Sequence, residues 1–331
     1  MNESNEPTAP ALVEVRDLVR RFGTVTAVDG ASFTVAKGEM FGLIGPDGAG
    51  KSTTLRTILG LLVPDAGEVR ACGLHPIREA RALAGRVGYL AQRFSLYGDL
   101  TVDENVAFFA EVHDVRRWKP RRDELLELLK MARFRTRLAD RLSGGMKQKL
   151  ALACTLIHSP ELLILDEPTT GVDPVSRRDF WRILFRLQRE GLTLLLTTPY
   201  LDEAERCQRV ALMSGGRVLT IASPTRLRDV ARAEHGALLE VLARPKRAAQ
   251  DWLRARPEVS DLETFGERLH VQIHGGATEA LAERFRVALA AEGLEVLALR
   301  AVAPSLEDIF IARVRSAESS APPATRAEER A

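Results

Sequence analysis

The stretch "GLIGPDGAGKST" sets Gly45, Gly50, Lys51 and Ser52 in the order G-x-x-x-x-G-K-S, between an apolar run and a helix-forming one. That spacing suits a triphosphate. Across Gly45 to Lys51, with Asp47 at the crest, the glycines let the backbone curl so that the N–H groups of Gly48, Ala49, Gly50 and Lys51 surround phosphate oxygens. The following helix directs its positive end at the same charge. Lys51 is expected to reach the β- and γ-phosphates, the Ser52 hydroxyl to bind Mg²⁺, and Thr53 to reach the α-phosphate. Downstream, "LLILDEPT" places Asp166 and Glu167 directly after four apolar residues. An acidic pair at a strand's C-terminal end lies where open α/β sheets hold their ligands. Asp166 is expected to hold Mg²⁺ from behind its inner coordination sphere, and Glu167 to polarise a water for attack on the γ-phosphate.

A third motif, "RLSGGMKQK", puts Ser143, Gly144 and Gly145 at a helix start. It is a second anion site separate from the glycine loop. One chain therefore carries half-sites for two nucleotides.

These elements must be positioned by a sheet. From Leu12 to about Gly45 the pattern is strand-rich, and a helix begins at Lys51. Residues 102–160 read as mainly helical, with leucines at helical spacing in "DELLELLKM". The runs "ELLILDEP" and "LTLLLTT" are continuous enough to be strands buried on both faces. In the second run Pro199 forces an extended conformation on Thr198, which becomes the last regular strand residue. The expected fold class is α/β, a P-loop core over residues 12–222 with a helical subdomain at about 93–160. After a linker at 223–236, residues 237–315 read as β-α-β-β-α-β with a closing helix, a small α+β module of ferredoxin-like order. Residues 1–11 and 316–331 are polar, proline-bearing ends expected to be disordered.

The chain resembles the ATP-binding subunit of an ABC transporter. The resemblance rests on "LSGGM", on "VGYLAQ" upstream and on "GVDP" downstream, and covers residues 12 to about 222. It implies ATP and Mg²⁺ as ligands, with Gln92 near the metal and linking nucleotide to a membrane subunit. It also implies that Ser143, Gly144 and Gly145 complete a partner subunit's site, and that Asp173 and Phe22 serve as D-loop residue and adenine-stacking ring. A closer likeness is to the branch that exports drugs and polyketides and pairs with a separate six-helix permease. That branch is matched by "YLAQRFSLYGDLTVDENV", "YLDEAERC" and "PSLEDIF". It implies a homodimer, an integral membrane permease, and a cytoplasmic subunit peripheral to the inner face of the membrane. The coupling surface falls at about Gln92 to Thr101 with the helical insertion. Pro199 stands where the family usually has a switch histidine, which puts the hydrolysis rate in question. Met146 and Asp47 depart from the commoner residues without touching the phosphate chemistry.

Composition narrows the rivals. The 47 basic and 45 acidic residues nearly cancel, so no global field draws the chain to nucleic acid. A soluble relative acting on ribosomes or DNA usually carries two cassettes, long coiled coils or zinc motifs, and none is read here. A GTPase lacks its guanine-reading motif. The basic stretch "VRRWKPRRDE" around Trp118 reads as a solvated helix face. His270 and His274 fall on one expected strand face without a third metal ligand. Cys72, Cys154 and Cys207 are few and far apart, which suits a reducing compartment. No apolar run approaches the roughly 20 residues of a membrane span.

Overall fold

A computed structural model describes residues 10–92, 96–235, 238–274 and 278–320. Residues 93–95 of the expected coupling stretch lie outside the described residues, as do 1–9 and 321–331 of the ends expected to be disordered. The chain divides into two compact units, Met1–Ala222 and Ser223–Ala331.

The first unit opens with three strands, β1 (Ala11–Phe22), β2 (Val25–Ala36) and β3 (Met40–Ile44), followed by helix α1 (Lys51–Ile58). Next come β4 (Ala66–Ala71), α2 (Ala80–Ala84) and β5 (Val87–Leu90). Helices α3 (Val102–Val112), α4 (Trp118–Leu128) and α5 (Gly144–Leu156) then run in series. The unit closes with β6 (Leu162–Asp166), α6 (Pro174–Arg189), β7 (Thr193–Thr198), α7 (Leu201–Ala204), β8 (Arg209–Ser214) and β9 (Arg217–Ala222).

Six strands form one sheet in the order β5-β6-β7-β3-β8-β9, parallel except for β9. The register levels its C-terminal edge: Asp166 pairs with Thr197, and Ile44 with Thr198. Leu162 to Leu165 and Leu194 to Leu196 are fully buried, which is why β6 and β7 read as unbroken apolar runs. A second, antiparallel sheet, β2-β1-β4, carries the alternating valines Val13 and Val15 into the same core. Thr101 starts α3 with a full capping box, its side chain accepting from the Glu104 N–H. On α4 two cations of the basic stretch have partners within the unit: Arg122 lies 5.1 Å from the Trp118 ring centre and 3.3 Å from Asp103, and Arg121 lies 2.8 Å from Glu124. All three cysteines are free and buried. Burial pushes the Cys72 thiol up to about 11 and raises the other two as well.

The second unit begins earlier than the sequence suggests. Pro224–His235, expected as linker, is helix α8. Its amphipathic arginine-rich sequence "PTRLRDVARAEH" buries Leu227 and Ala231. Then follow β10 (Leu238–Arg244), α9 (Lys246–Arg254), β11 (Val259–Phe265), β12 (Arg268–Ile273), α10 (Glu279–Ala291), β13 (Glu295–Val302) and α11 (Leu306–Ser320). The helix α11 runs five residues into the tail expected to be disordered from residue 316. Likewise β1 begins at Ala11, inside the expected N-terminal tail. The four strands form an antiparallel sheet ordered β11-β12-β10-β13. Its core joins Leu239, Val241 and Val271 to Leu253 of α9 and Phe285 of α10. His270 sits on β12, its Nδ1 2.8 Å from Asp308, whereas His274 lies beyond the strand's end. Among the described residues no group of three potential ligands stands ready for a metal.

Candidate nucleotide site

The loop between β3 and α1 is folded tightly enough to require its glycines. A Cβ at Gly45 would lie 2.2 Å from the Met213 carbonyl oxygen, and one at Gly50 would lie 2.4 Å from that of Ala27. Gly50 also adopts φ 96, a left-handed conformation that side chains resist. Asp47 and Gly48 stand exposed at the crest, Ala49 is buried beneath them, and Ser52 and Thr53 are half-buried on the first turn of α1. Lys51 is only 4% exposed, and its ammonium donates to the carbonyls of Gly45 at 2.8 Å and Pro46 at 2.9 Å. A cation is thus fixed across the mouth of a loop at a helix N-terminus, an arrangement that favours anions.

The end of β6 completes that edge. Ser52 Oγ donates to Asp166 Oδ1 at 2.9 Å, and Thr197 Oγ1 donates to the same oxygen at 2.7 Å. The Tyr89 hydroxyl reaches Asp166 Oδ2 at 3.4 Å. Burial chiefly, and then the Asp166 charge, hold that phenol protonated above its usual range. Glu167 follows at φ 49, and its N–H is shared between Thr197 O at 3.2 Å and Thr197 Oγ1 at 3.0 Å. Its carboxylate lies 3.5 Å from Lys51 Nζ, accepts from Gln92 Nε2 at 2.9 Å, and is approached by Thr170 Oγ1 at 3.4 Å. Lys51, Ser52, Gln92, Asp166 and Glu167 are therefore one connected set. The paired oxygens of Ser52 and Asp166 at the loop's mouth are hard donors of the kind Mg²⁺ prefers alongside phosphate. Gln92, exposed two residues past the end of β5, can offer a further amide oxygen.

The second motif stands apart. Ser143 caps α5, accepting from the Met146 N–H at 3.4 Å, with Gly144 and Gly145 as the first helical residues. A Cβ on Gly145 would meet Ser176 Oγ at 2.4 Å, so only glycine lets the starts of α5 and α6 approach this closely. Asp173 caps α6 by accepting from Val175 and Ser176. The Ser176 N–H holds its carboxyl below the usual range. Among the described residues no hydrogen bond or ion pair joins Ser143, Gly145 or Asp173 to the glycine loop. Phe22, at the end of β1, is 46% exposed with the Arg20 guanidinium 4.8 Å from its ring centre, so it is not a core residue. Pro199 directly follows β7 and is half-buried.

Thr197, Tyr89 and Thr170 were missed as site residues. Thr197 had a signal: a pair of threonines ends an otherwise apolar strand, and successive side chains point to opposite faces. Tyr89 and Thr170 had none.

A phosphate loop, an acidic strand end level with it and a capped glycine start on another helix define a P-loop nucleotide-binding cassette. The family model described as ABC transporter matches residues 28–170. The Nod factor export ATP-binding protein I of Paraburkholderia xenovorans is 40% identical over 262 residues, covering 78% of this chain and 85% of that protein. Its counterpart in a Rhizobium species is 38% identical, covering 90% and 95%. The probable multidrug ABC transporter ATP-binding protein YbhF of Escherichia coli is 40% identical over 219 residues, 66% of this chain. The chain spans only 38% of the length of that last protein. Among solved structures, an ATP-binding subunit of an ABC transporter aligns with TM-score 0.61 and 30% identity, covering 66% of this chain and 92% of its own. A dimeric bacterial ABC transporter cassette aligns with TM-score 0.58 and 25% identity, covering 64% and 98%. The chain belongs to the ATP-binding proteins of ABC transporters.

Proposed function

We propose that the chain binds Mg-ATP at the edge formed by β3, β6 and β7 and hydrolyses it to energise a separate membrane permease that exports drug-like or amphiphilic compounds. The observation that carries this reading is the connected set of Lys51, Ser52, Gln92, Asp166 and Glu167. In it Lys51 and the loop N–H groups of Gly48 to Lys51 bind phosphate, and Thr53 reaches the α-phosphate. Glu167 takes the proton of the attacking water, held in place by Gln92. Ser52 and Asp166, with Gln92, would hold Mg²⁺, which when bound screens the β- and γ-phosphate charge. Phe22 offers an exposed ring for adenine to stack on.

The separation of Ser143, Gly144, Gly145 and Asp173 from the loop supports a head-to-tail homodimer, in which each copy closes the other's γ-phosphate. The names of the relatives, multidrug transport and Nod factor export, support export as the direction and small amphiphilic molecules as cargo. Among the described residues no helix is long and apolar enough to cross a membrane, so transport would require a permease at the Gln92–Thr101 face and a position against the inner side of the membrane. The strand order of the second unit supports the ferredoxin-like reading of that module. Pro199 occupies the position of the switch histidine and leaves one γ-phosphate contact unmade, so turnover is slow but measurable. Steady-state phosphate release with the permease reconstituted tests the reading. Turnover that Glu167→Gln removes supports it, and no turnover by the wild-type chain overturns its hydrolytic part.

A further inference from the structure

The turn that carries Glu167 is held from behind by a carboxylate outside every nucleotide motif. Glu203, on α7, is fully buried. It accepts from Thr198 Oγ1 at 2.8 Å and from Thr169 Oγ1, and Arg177 Nε lies 3.7 Å from its Oε1. Thr169 is two residues past Glu167, Thr198 is the last residue of β7, and Arg177 lies in the first turn of the helix that Asp173 caps. One side chain thus ties together the ends of β6 and β7 and the start of α6. Glu167 needs such support, because its φ of 49 is a conformation that persists only where the surroundings over-determine it. The turn's own bonds are few: Thr170 N–H to Glu167 O at 3.2 Å, Val172 N–H to Thr169 O at 3.1 Å and the long Thr170 Oγ1 contact to the Glu167 carboxylate at 3.4 Å. Pro199 supplies no N–H, and the next one, on Tyr200, is taken by Thr198 Oγ1 at 3.0 Å, the hydroxyl that donates to Glu203. The Arg177 guanidinium lies 4.9 Å from the Tyr200 ring centre, so the segment after β7 is tied to the same cluster.

We infer that Glu203 is a positioning residue for ATP hydrolysis, clamping the Thr169 turn against the end of β7 so that Glu167 stays directed at Lys51 and Gln92. The inference rests on Glu167 being the base proposed above. Full-length Glu203→Gln and Thr169→Val, each close in shape to the original, are compared with wild type in kcat, KM for ATP, and peptide-resolved amide exchange over residues 167–172. In both variants kcat should fall about tenfold or more, the scale on which misplaced catalytic groups lose rate. KM should stay within about twofold, because the loop that binds phosphate is untouched. Exchange over 167–172 should quicken while the β1–β2 hairpin is unchanged. The double variant should be little worse than either single one, since both break the same clamp. Unchanged kcat and unchanged exchange would overturn the inference. If the wild-type chain shows no turnover, the hydrolysis reading fails by itself, and unchanged exchange in the variants still overturns the clamp. Should Glu203→Gln not fold, Thr169→Val and Thr198→Val carry the same test.

Discussion

The two units treat buried polarity in opposite ways. In the first, Lys51, Asp166, Thr169, Thr197, Thr198 and Glu203 are all buried at one edge of the parallel sheet, and they face one another across segment ends. In the second, Glu240 is the only buried polar side chain among the described residues. Its partners Arg268, Arg300 and His270 belong to neighbouring strands of the same sheet. Burying charge is expensive unless it is paired, so each cluster needs a reason to exist. The edge cluster lies beneath the exposed crest of the glycine loop at Asp47 and Gly48, whereas the Glu240 cluster pairs within its own sheet. The difference teaches that chemistry resides where buried polar groups converge on strand ends from separate segments, and that pairing along a sheet is structural.

The comparison can be broken at several points. Glu167→Gln should lower turnover by about 10³-fold or more, at the upper part of what a general base contributes, while ATP binding persists. Phosphate release and equilibrium dialysis read the two separately. Lys51→Ala should weaken ATP binding by about 100-fold, or about 2.7 kcal/mol, in the same dialysis assay. Pro199→His should raise turnover, by at most about 10²-fold for one well-placed donor. An unchanged rate would make the proline a neutral variant. Truncation after Ala222 should change ATP affinity by less than about tenfold, because every residue proposed to bind phosphate precedes it. A larger loss in a folded truncation would place the second unit in the site.

A further effect is one of pH. In the first unit His158 stacks on His113 with ring centres 3.9 Å apart. Burial, then the neighbouring His113, pull its pKa from 6.5 down to about 4. The folded state therefore resists the proton, and this unit should lose stability as pH falls from about 6.5 towards 4. In the second unit the Asp308 hydrogen bond raises the His270 pKa above 6.5. Its contribution is fully present below 6.5 and is lost as pH rises through the raised folded value. Burial pushes the Asp308 carboxyl up, but hydrogen bonds from His270 and Ser305 together carry it below its usual range. Thermal unfolding followed from pH 5 to 8 should shift the two units in opposite directions, and His270→Gln should flatten only the second.

Much of the candidate nucleotide edge is legible in the sequence because its constraints are local. The loop from Gly45 to Ser52 and the cap at Ser143 each fit within a few residues, so spacing reveals them, whereas Asp173 is indicated only by the family resemblance and its capping of α6 by the structure. Pro199 likewise marks where β7 ends. What the sequence hid depends on register. Thr197 meets Asp166 only because β6 and β7 pair in parallel at that level, and Glu203 meets Thr169 only through the turn of α7. The helix α8 was passed over because its arginine-rich sequence buries only a narrow stripe and reads as polar linker. Residues 316–320 of α11 look like tail for a similar reason: "SAESS" has small and polar residues and nothing that demands a helix.

The central claim is that one chain holds two half-sites that only a second copy can complete. Ser143, Gly145 and Asp173 make no described contact with the glycine loop, so on this view the γ-phosphate is enclosed only between copies. Light scattering of Glu167→Gln at saturating Mg-ATP, beside the same protein without nucleotide, tests this most directly. The mass should double with ATP, and adding Ser143→Arg should prevent the doubling while leaving Lys51-dependent ATP binding intact. A mass that stays at one chain under saturating ATP would contradict the claim.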